Sequence, residues 1–193
     1  MVHRILSDLS YFFTELPQNI LWSYGIFDRS LEVLSLQIPN LILIENLPSQ
    51  EYLEKICDGE NHQILVCDDT MMELKANYKF TVNLATRFAR HRKLTIFVIN
   101  QNFFELPRTF NLNTRHLLLC HPGRDFLSMT NLSHQLFPKK KSILVKIWRD
   151  IEENNPNYPY LLINCGNNVQ KEYKLLTCIF RGEDTISYIV NEH

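Results

Sequence analysis

Glycine is scarce in this chain, with five in 193 residues, which is few for a protein whose loops must wrap a nucleotide. The five cysteines (Cys57, Cys67, Cys120, Cys165 and Cys178) are odd in number, scattered, and set mostly inside apolar runs with no C-x-x-C spacing. That pattern argues against a disulfide framework or a zinc site and for buried free thiols in a reducing compartment. No apolar run is long enough for a transmembrane helix, and the N-terminus lacks the apolar core of a secretory signal. The expectation is an intracellular protein, of cytoplasm or nucleus, that is not secreted and makes no membrane contact. Net charge is -1, so no global basic character points to nucleic acid, and any such contact must be local. No repeat, low-complexity segment or linker marks an internal boundary. A single domain over residues 1–193 is therefore expected.

What is present centres on Gln63 to Glu73, Q-I-L-V-C-D-D-T-M-M-E. Four apolar residues run into adjacent carboxylates, Asp68 and Asp69. A short continuous apolar run fits a buried strand covered on both faces, and ligands in open α/β sheets bind at the carboxyl ends of such strands. One carboxylate there can hold magnesium beside a phosphate, and a second can take a proton from an attacking water. The plainer alternative is a strand followed by a helix N-cap. Further strands are expected at Ile20–Tyr24, Asn40–Glu45, Leu94–Ile99, Arg115–Cys120 and Tyr160–Cys165. Residues 173–193 are expected to form a C-terminal hairpin around Gly182-Glu183-Asp184. Helical spacing marks His3–Phe13, Leu31–Leu36, Gln50 to about Cys57, Phe126–Phe137, Lys141–Glu153 and one long helix, Met71–Lys93. This alternation implies an α/β fold with a mainly parallel sheet and flanking helices.

Other polar residues carry two readings each. Gln101 follows the strand after Asp68-Asp69, and an amide can donate to phosphate while accepting from water; otherwise it is a strand-end polar residue. Arg108 has the donor fork that suits phosphate oxygens, or is a surface arginine. Arg87, Arg90, His91, Arg92 and Lys93 either complement a helix C-terminus or face phosphate. Lys139-Lys140-Lys141 is a solvated loop or a DNA-facing one. Cys120 and His121, adjacent on a strand, point to opposite faces, which favours a core cysteine over a catalytic pair.

Several segments, in order, resemble the genome-packaging ATPases of large DNA viruses and Maverick/Polinton-type virus-like transposons, within the FtsK–HerA superfamily. Ile64 to Met71 (I-L-V-C-D-D-T-M) resembles the family's Walker B, hhhhDD-L-M. Arg90 to Phe104 (R-H-R-K-L-T-I-F-V-I-N-Q-N-F-F) is similar to its sensor segment, H-R-N-h-S-V-I-x-h-T-Q-N-L-F. Arg108 to Asn113 (R-T-F-N-L-N) looks like R-x-I-S-L-N. Arg124-Asp125 resembles the end of N-P-R-D, Leu132 to Pro138 is similar to L-A-R-Q-h-h-P, and Pro159 to Asn164 resembles G-Y-L-L-h-D. The resemblance implies a P-loop NTPase (RecA-like) type that hydrolyses ATP with Mg2+ and drives double-stranded DNA into a capsid as a homo-oligomeric ring. It assigns magnesium to Asp68, the base to Asp69, γ-phosphate sensing to Gln101, and action in trans to Arg108 or Arg124.

The departures matter as much. The family's G-x-x-x-x-G-K-[ST] loop, whose amides and lysine cradle the phosphates, is nowhere in this chain, so ATP and Mg2+ are doubtful here. Gly123, His134 and Asn164 stand where the family has Pro, Arg and Asp. The strand before the P-loop is expected between the Walker B and sensor strands. Its absence would leave two unpaired edges in the core, or the neighbours would close up. The implied function is a fragment or decayed copy of a packaging motor; the alternative is a non-catalytic relic that binds protein or DNA.

Overall fold

Apolar runs become strands where both faces can be covered. In the computed structural model, which describes residues 1–120, 125–155 and 157–191, the chain divides into two compact units, Met1–Asn113 and Thr114–His193. In the first unit, α1 (Val2–Leu6) and α2 (Leu9–Phe12) precede β1 (Asn19–Tyr24), α3 (Arg29–Gln37), β2 (Leu41–Glu45), α4 (Gln50–Ile56) and β3 (Gln63–Asp68). The chain continues through α5 (Met71–Ala76), α6 (Tyr78–Asn83), α7 (Ala89–His91), β4 (Leu94–Ile99) and α8 (Arg108–Asn113). The strands form one parallel sheet in the order β2-β1-β3-β4.

Alternation along the strands divides the core. Leu21, Leu65 and Cys67 face one layer with Leu74, Phe80, Leu84, Phe88 and Phe110. Ile20, Trp22, Ile64 and Val66 face the other with Leu6, Leu31, Leu34 and Ile38. At the amino end, buried Gln63 accepts from Asn19 Nδ2 at 3.1 Å and donates to Gln18 Oε1 at 3.0 Å. The side chains of Asp28 and Ser49 accept backbone N–H groups and so start α3 and α4.

Two of the helices anticipated from spacing are broken. His3–Phe13 divides at Ser7-Asp8, where Asp8 leaves helical geometry (φ -135, ψ 54); a short polar side chain is a poor mid-helix residue. Met71–Lys93 breaks at Asn77 (φ -106, ψ 59) and carries a π turn over Leu84–Phe88. Buried Thr81 holds the first break by donating its hydroxyl to the carbonyls of Leu74 at 2.6 Å and Asn77 at 3.1 Å. Thr81→Val is expected to destabilise the protein by about 1 kcal/mol in urea unfolding. An unchanged midpoint would show the break to be set by packing alone.

The direct pairing of β3 with β4 is the second of the two outcomes expected for these strands. Their ladder runs from Gln63↔Leu94 to Asp68↔Ile99 without a gap, so no strand position lies between them. Direct pairing leaves neither facing edge with buried amides lacking partners.

In the second unit, β5 (His116–Leu119), α9 (Phe126–Leu136), α10 (Ile143–Asn154), β6 (Leu161–Asn164), β7 (Leu175–Thr177) and β8 (Ile186–Ser187) form a separate antiparallel sheet, β5-β6-β7-β8. β5 and β6, expected to extend a parallel sheet, instead run oppositely. Two successive helices lie between them, and a helical hairpin returns the chain to the end it left, whereas one crossover helix would carry it back for a parallel strand. The pairing of β7 with β8 realises the anticipated terminal hairpin. Among the described residues, no helix is long and apolar enough to cross a membrane. Cys57 and Cys67 are buried, but Cys120, anticipated as a core residue, is exposed.

Candidate functional site

The carboxyl ends of β3 and β4 carry the candidate site. Asp68 is the last residue of β3 and pairs with Ile99, the last of β4. Gln101 follows two residues later, so the acidic pair and the amide emerge from adjacent strand ends. Asp68 lies on the sheet face of Ile64 and Val66, beside Trp22. Cys67 points to the opposite layer, where burial pushes its thiol up to about 12, so it is no nucleophile at neutral pH.

Burial also raises the half-buried Asp68 carboxyl above its ordinary value, and the neighbouring charge of Asp69 adds to this. The Trp22 indole N–H approaches closely enough to pull the value back in part, without reaching hydrogen-bond geometry. A carboxylate that is harder to ionise in the folded state costs stability wherever it is charged. That cost is present at neutral pH and disappears as pH falls through the raised value toward the ordinary 3.8. Asp68→Asn is therefore expected to stabilise the protein at neutral pH by less than about 1 kcal/mol, since the group is still partly hydrated. The difference should fade on acidification in paired unfolding curves. Equal stability at neutral pH would mean that Asp68 is fully hydrated.

Asp69 is exposed and sits in the left-handed region (φ 54), a conformation that aspartate tolerates better than most residues. The N-cap alternative for this pair is not realised: Thr70 occupies the cap of α5 and makes no side-chain cap bond. The loop after β1 lies against this turn. Gly25 donates its N–H to the Asp68 carbonyl at 3.2 Å. A Cβ at Gly25 would stand 2.5 Å from the Asp69 carbonyl oxygen. This contact, and the Trp22 indole beside Asp68, escaped sequence reasoning. Only the G-after-strand pattern at Tyr24-Gly25 hinted at the first.

The segment beyond Gln101 is held by its own side chains. Asn102 Oδ1 accepts the Phe104 N–H at 3.0 Å. Asn111 Nδ2 donates to the carbonyls of Phe103 at 3.1 Å and Leu106 at 3.4 Å. Lys75 of α5 pairs with Glu105 at 2.6 Å, tying the helix that follows Asp68-Asp69 to the turn that follows Gln101. Gln101 and Arg108 are both exposed, Arg108 as the first residue of α8. Arg124 and Gly123 lie outside the described residues.

Four residues of the basic cluster bond to neighbouring segments. Arg87 is 3.8 Å from Glu54, Arg90 donates to Asn113 Oδ1 at 2.7 Å, and Arg92 to the Cys57 carbonyl at 3.1 Å. Lys93 reaches Glu15 at 3.1 Å and the Glu60 carbonyl at 2.9 Å. Lys93 directly precedes β4, so its cluster gathers at the amino end of the sheet, away from Asp68.

The two carboxylates match what magnesium takes beside a phosphate, one or two acidic side chains with water completing the shell. Among the described residues, no group of three or more His, Cys, Asp or Glu could hold a metal ion by itself. A nucleotide fits less well, because the sequence contains no G-x-x-x-x-G-K-[ST] motif whose amides would cradle a triphosphate. Two open clefts lie elsewhere. One of about 510 Å³ is lined by residues including Asn46, Pro48, Glu73, Asn77 and Lys79, and one of about 290 Å³ by Phe13, His62, Lys93 and Thr95 among others. Neither includes Asp68, Asp69, Gln101 or Arg108. Compared with known families, characterised proteins and solved structures, the chain matches none.

Proposed function

We propose that this chain is the water-activating portion of an ATP-driven double-stranded DNA packaging motor of the FtsK–HerA, P-loop NTPase (RecA-like) kind, as a fragment or decayed copy without a phosphate cradle. The observation that carries the reading is the emergence of Asp68-Asp69 and Gln101 from the ends of neighbouring parallel strands. In the complete motor, a homo-oligomeric ring acting on DNA and capsid components, Asp68 would hold magnesium through water. Asp69 would accept the proton of the attacking water, and Gln101 would orient that water against the terminal phosphate. Arg108, exposed at the start of α8, would serve a neighbouring subunit. Because β3 and β4 pair directly, a strand leading into a P-loop would have to join at an open edge of the sheet rather than between them.

A second reading is favoured by that same closure. A sheet without a gap is a folded body in its own right, which suits a non-catalytic relic that binds protein or DNA. ATP hydrolysis by the purified chain, with and without double-stranded DNA and beside Asp69→Asn, separates the two. The expected result is no turnover by the chain alone, and turnover once a strand and P-loop are fused on, lost again with Asp69→Asn. Silence in both forms leaves the relic. Turnover by the unfused chain that Asp69→Asn abolishes overturns the cradle-less reading.

A further inference from the structure

Trp22 carries a buried donor with no acceptor. The residue is 5% exposed, and its Nε1–H has no hydrogen-bond partner among the described residues. A buried donor left unpaired costs stability, so such a group in a folded protein calls for an explanation. Trp22 of β1 pairs with Val66 of β3, and Tyr24 with Asp68. Side chains alternate along a strand, so Trp22, Val66 and Asp68 share one face of the sheet, the face covered by Leu31 and Leu34. The indole therefore stands two residues deeper than Asp68 on the neighbouring strand, close enough to act on its carboxyl. The topology makes this a place for a ligand. The chain leaves β1 for β2 on one side and returns past β1 to β3 on the other. Leu31 and Leu34 of α3 pack in one layer and Leu53 of α4 in the other. The order thus reverses between β1 and β3, and open α/β sheets take ligands outside the carboxyl ends of the strands at that point. Gly25, just beyond β1, holds the Asp68 main chain there by donating its N–H to the carbonyl at 3.2 Å.

We propose that Trp22 is a positioning residue for Asp68, its Nε1–H donating to one carboxylate oxygen when a magnesium ion engages the other through water. An ionised carboxylate has two oxygens, both acceptors only. With one held from the core side by the indole, the other is turned outward to the ion and its water. Carboxylates that bind metal are themselves held by hydrogen bonds of this kind, which fix the direction the free oxygen faces. Gly25 fixes the main chain of Asp68, and Trp22 fixes its side chain. Trp22 itself touches neither ion nor attacking water. The inference rests on the reading of Asp68 as the residue that holds magnesium.

Titration of Mg2+ alone into the full chain, followed by NMR, tests it. The chain has two tryptophans, Trp22 and Trp148. The Trp148 Nε1–H is also buried without a partner but lies in the Thr114–His193 unit, so it serves as the internal control. The expected result is that the Trp22 indole N–H signal moves downfield and exchanges more slowly, with the same midpoint as the Asp68 carboxyl-carbon signal, while Trp148 stays still. An Asp68 carboxyl that responds while the Trp22 indole does not overturns the inference and leaves the magnesium reading standing. If neither responds, the magnesium reading fails and the inference falls with it. These signals are read in the natural sequence, so the decision does not depend on how a variant folds. Folded Trp22→Phe keeps an aromatic ring and loses the donor, and it is expected to raise the Mg2+ midpoint about 10-fold. An unchanged midpoint in that variant overturns the positioning role.

Discussion

Tyr160→Phe is expected to cost the Thr114–His193 unit about 3 kcal/mol, because one hydroxyl serves two partners there. Tyr160 is fully buried. Its O–H donates to Glu183 Oε2 at 2.7 Å and its oxygen accepts the Ile179 N–H at 2.6 Å. Phenylalanine keeps the ring, including its edge contact with Phe180 at 5.5 Å between centroids, and removes both bonds. The loss combines a hydrogen bond to a charged group, about 1.5–3 kcal/mol, with a backbone N–H left without its partner, about 1–3 kcal/mol. Burial and the Glu183 carboxylate push the phenol's pKa well up, so it remains a donor throughout the neutral range and the effect should be flat in pH there. Amide exchange at Ile179 and Phe180 would report it locally, since Phe180 N–H also bonds Glu183 Oε2 at 3.2 Å. Native protection of those two amides in the variant would show that water replaces the hydroxyl without cost.

Gly25→Ala is expected to destabilise the protein by about 1–3 kcal/mol and to disturb Asp68 and Asp69 before any other residues. The added methyl would lie 2.5 Å from the Asp69 carbonyl oxygen and 3.4 Å from its carbonyl carbon. These are backbone atoms that cannot rotate away. Relief requires one of the two loops to move, and the Gly25 N–H bond to the Asp68 carbonyl resists that. Gly182→Ala is the useful contrast: nothing lies within 4 Å of the new methyl, and its cost is conformational, since φ is +84. Urea unfolding gives the energies, and amide shifts show where each change is felt. If Gly25→Ala leaves the amides of Asp68 and Asp69 in place, the approach of the two loops is looser than the structure has it.

Much of the first unit was legible. Ile20–Tyr24, Asn40–Glu45, Gln63–Cys67 and Leu94–Ile99 all become parallel strands, because strands covered on both faces need continuous apolar runs. The cap of α4 is a local geometry, with the Ser49 side-chain oxygen three residues before the N–H that it accepts. The break at Asn77 was not readable: apolar spacing continues through it, and the bond that holds it comes from Thr81. At the site, the positions of Asp68, Asp69 and Gln101 at strand ends could be read, whereas the Trp22 indole and the Gly25 contact could not, since each joins segments far apart in sequence.

The sequence by itself determined where the strands of the first unit lie and which polar residues follow them, because periodicity, caps and turn residues act over a few positions. Tertiary structure alone decided which strands are neighbours. β3 pairs with β4 and the sheet closes without a gap. β5 and β6 run antiparallel in a sheet of their own, and β4 stands last in the strand order of the first sheet. Pairing is chosen by side-chain layers and backbone hydrogen bonds between distant segments, and neither is written in the order of residues along a single strand.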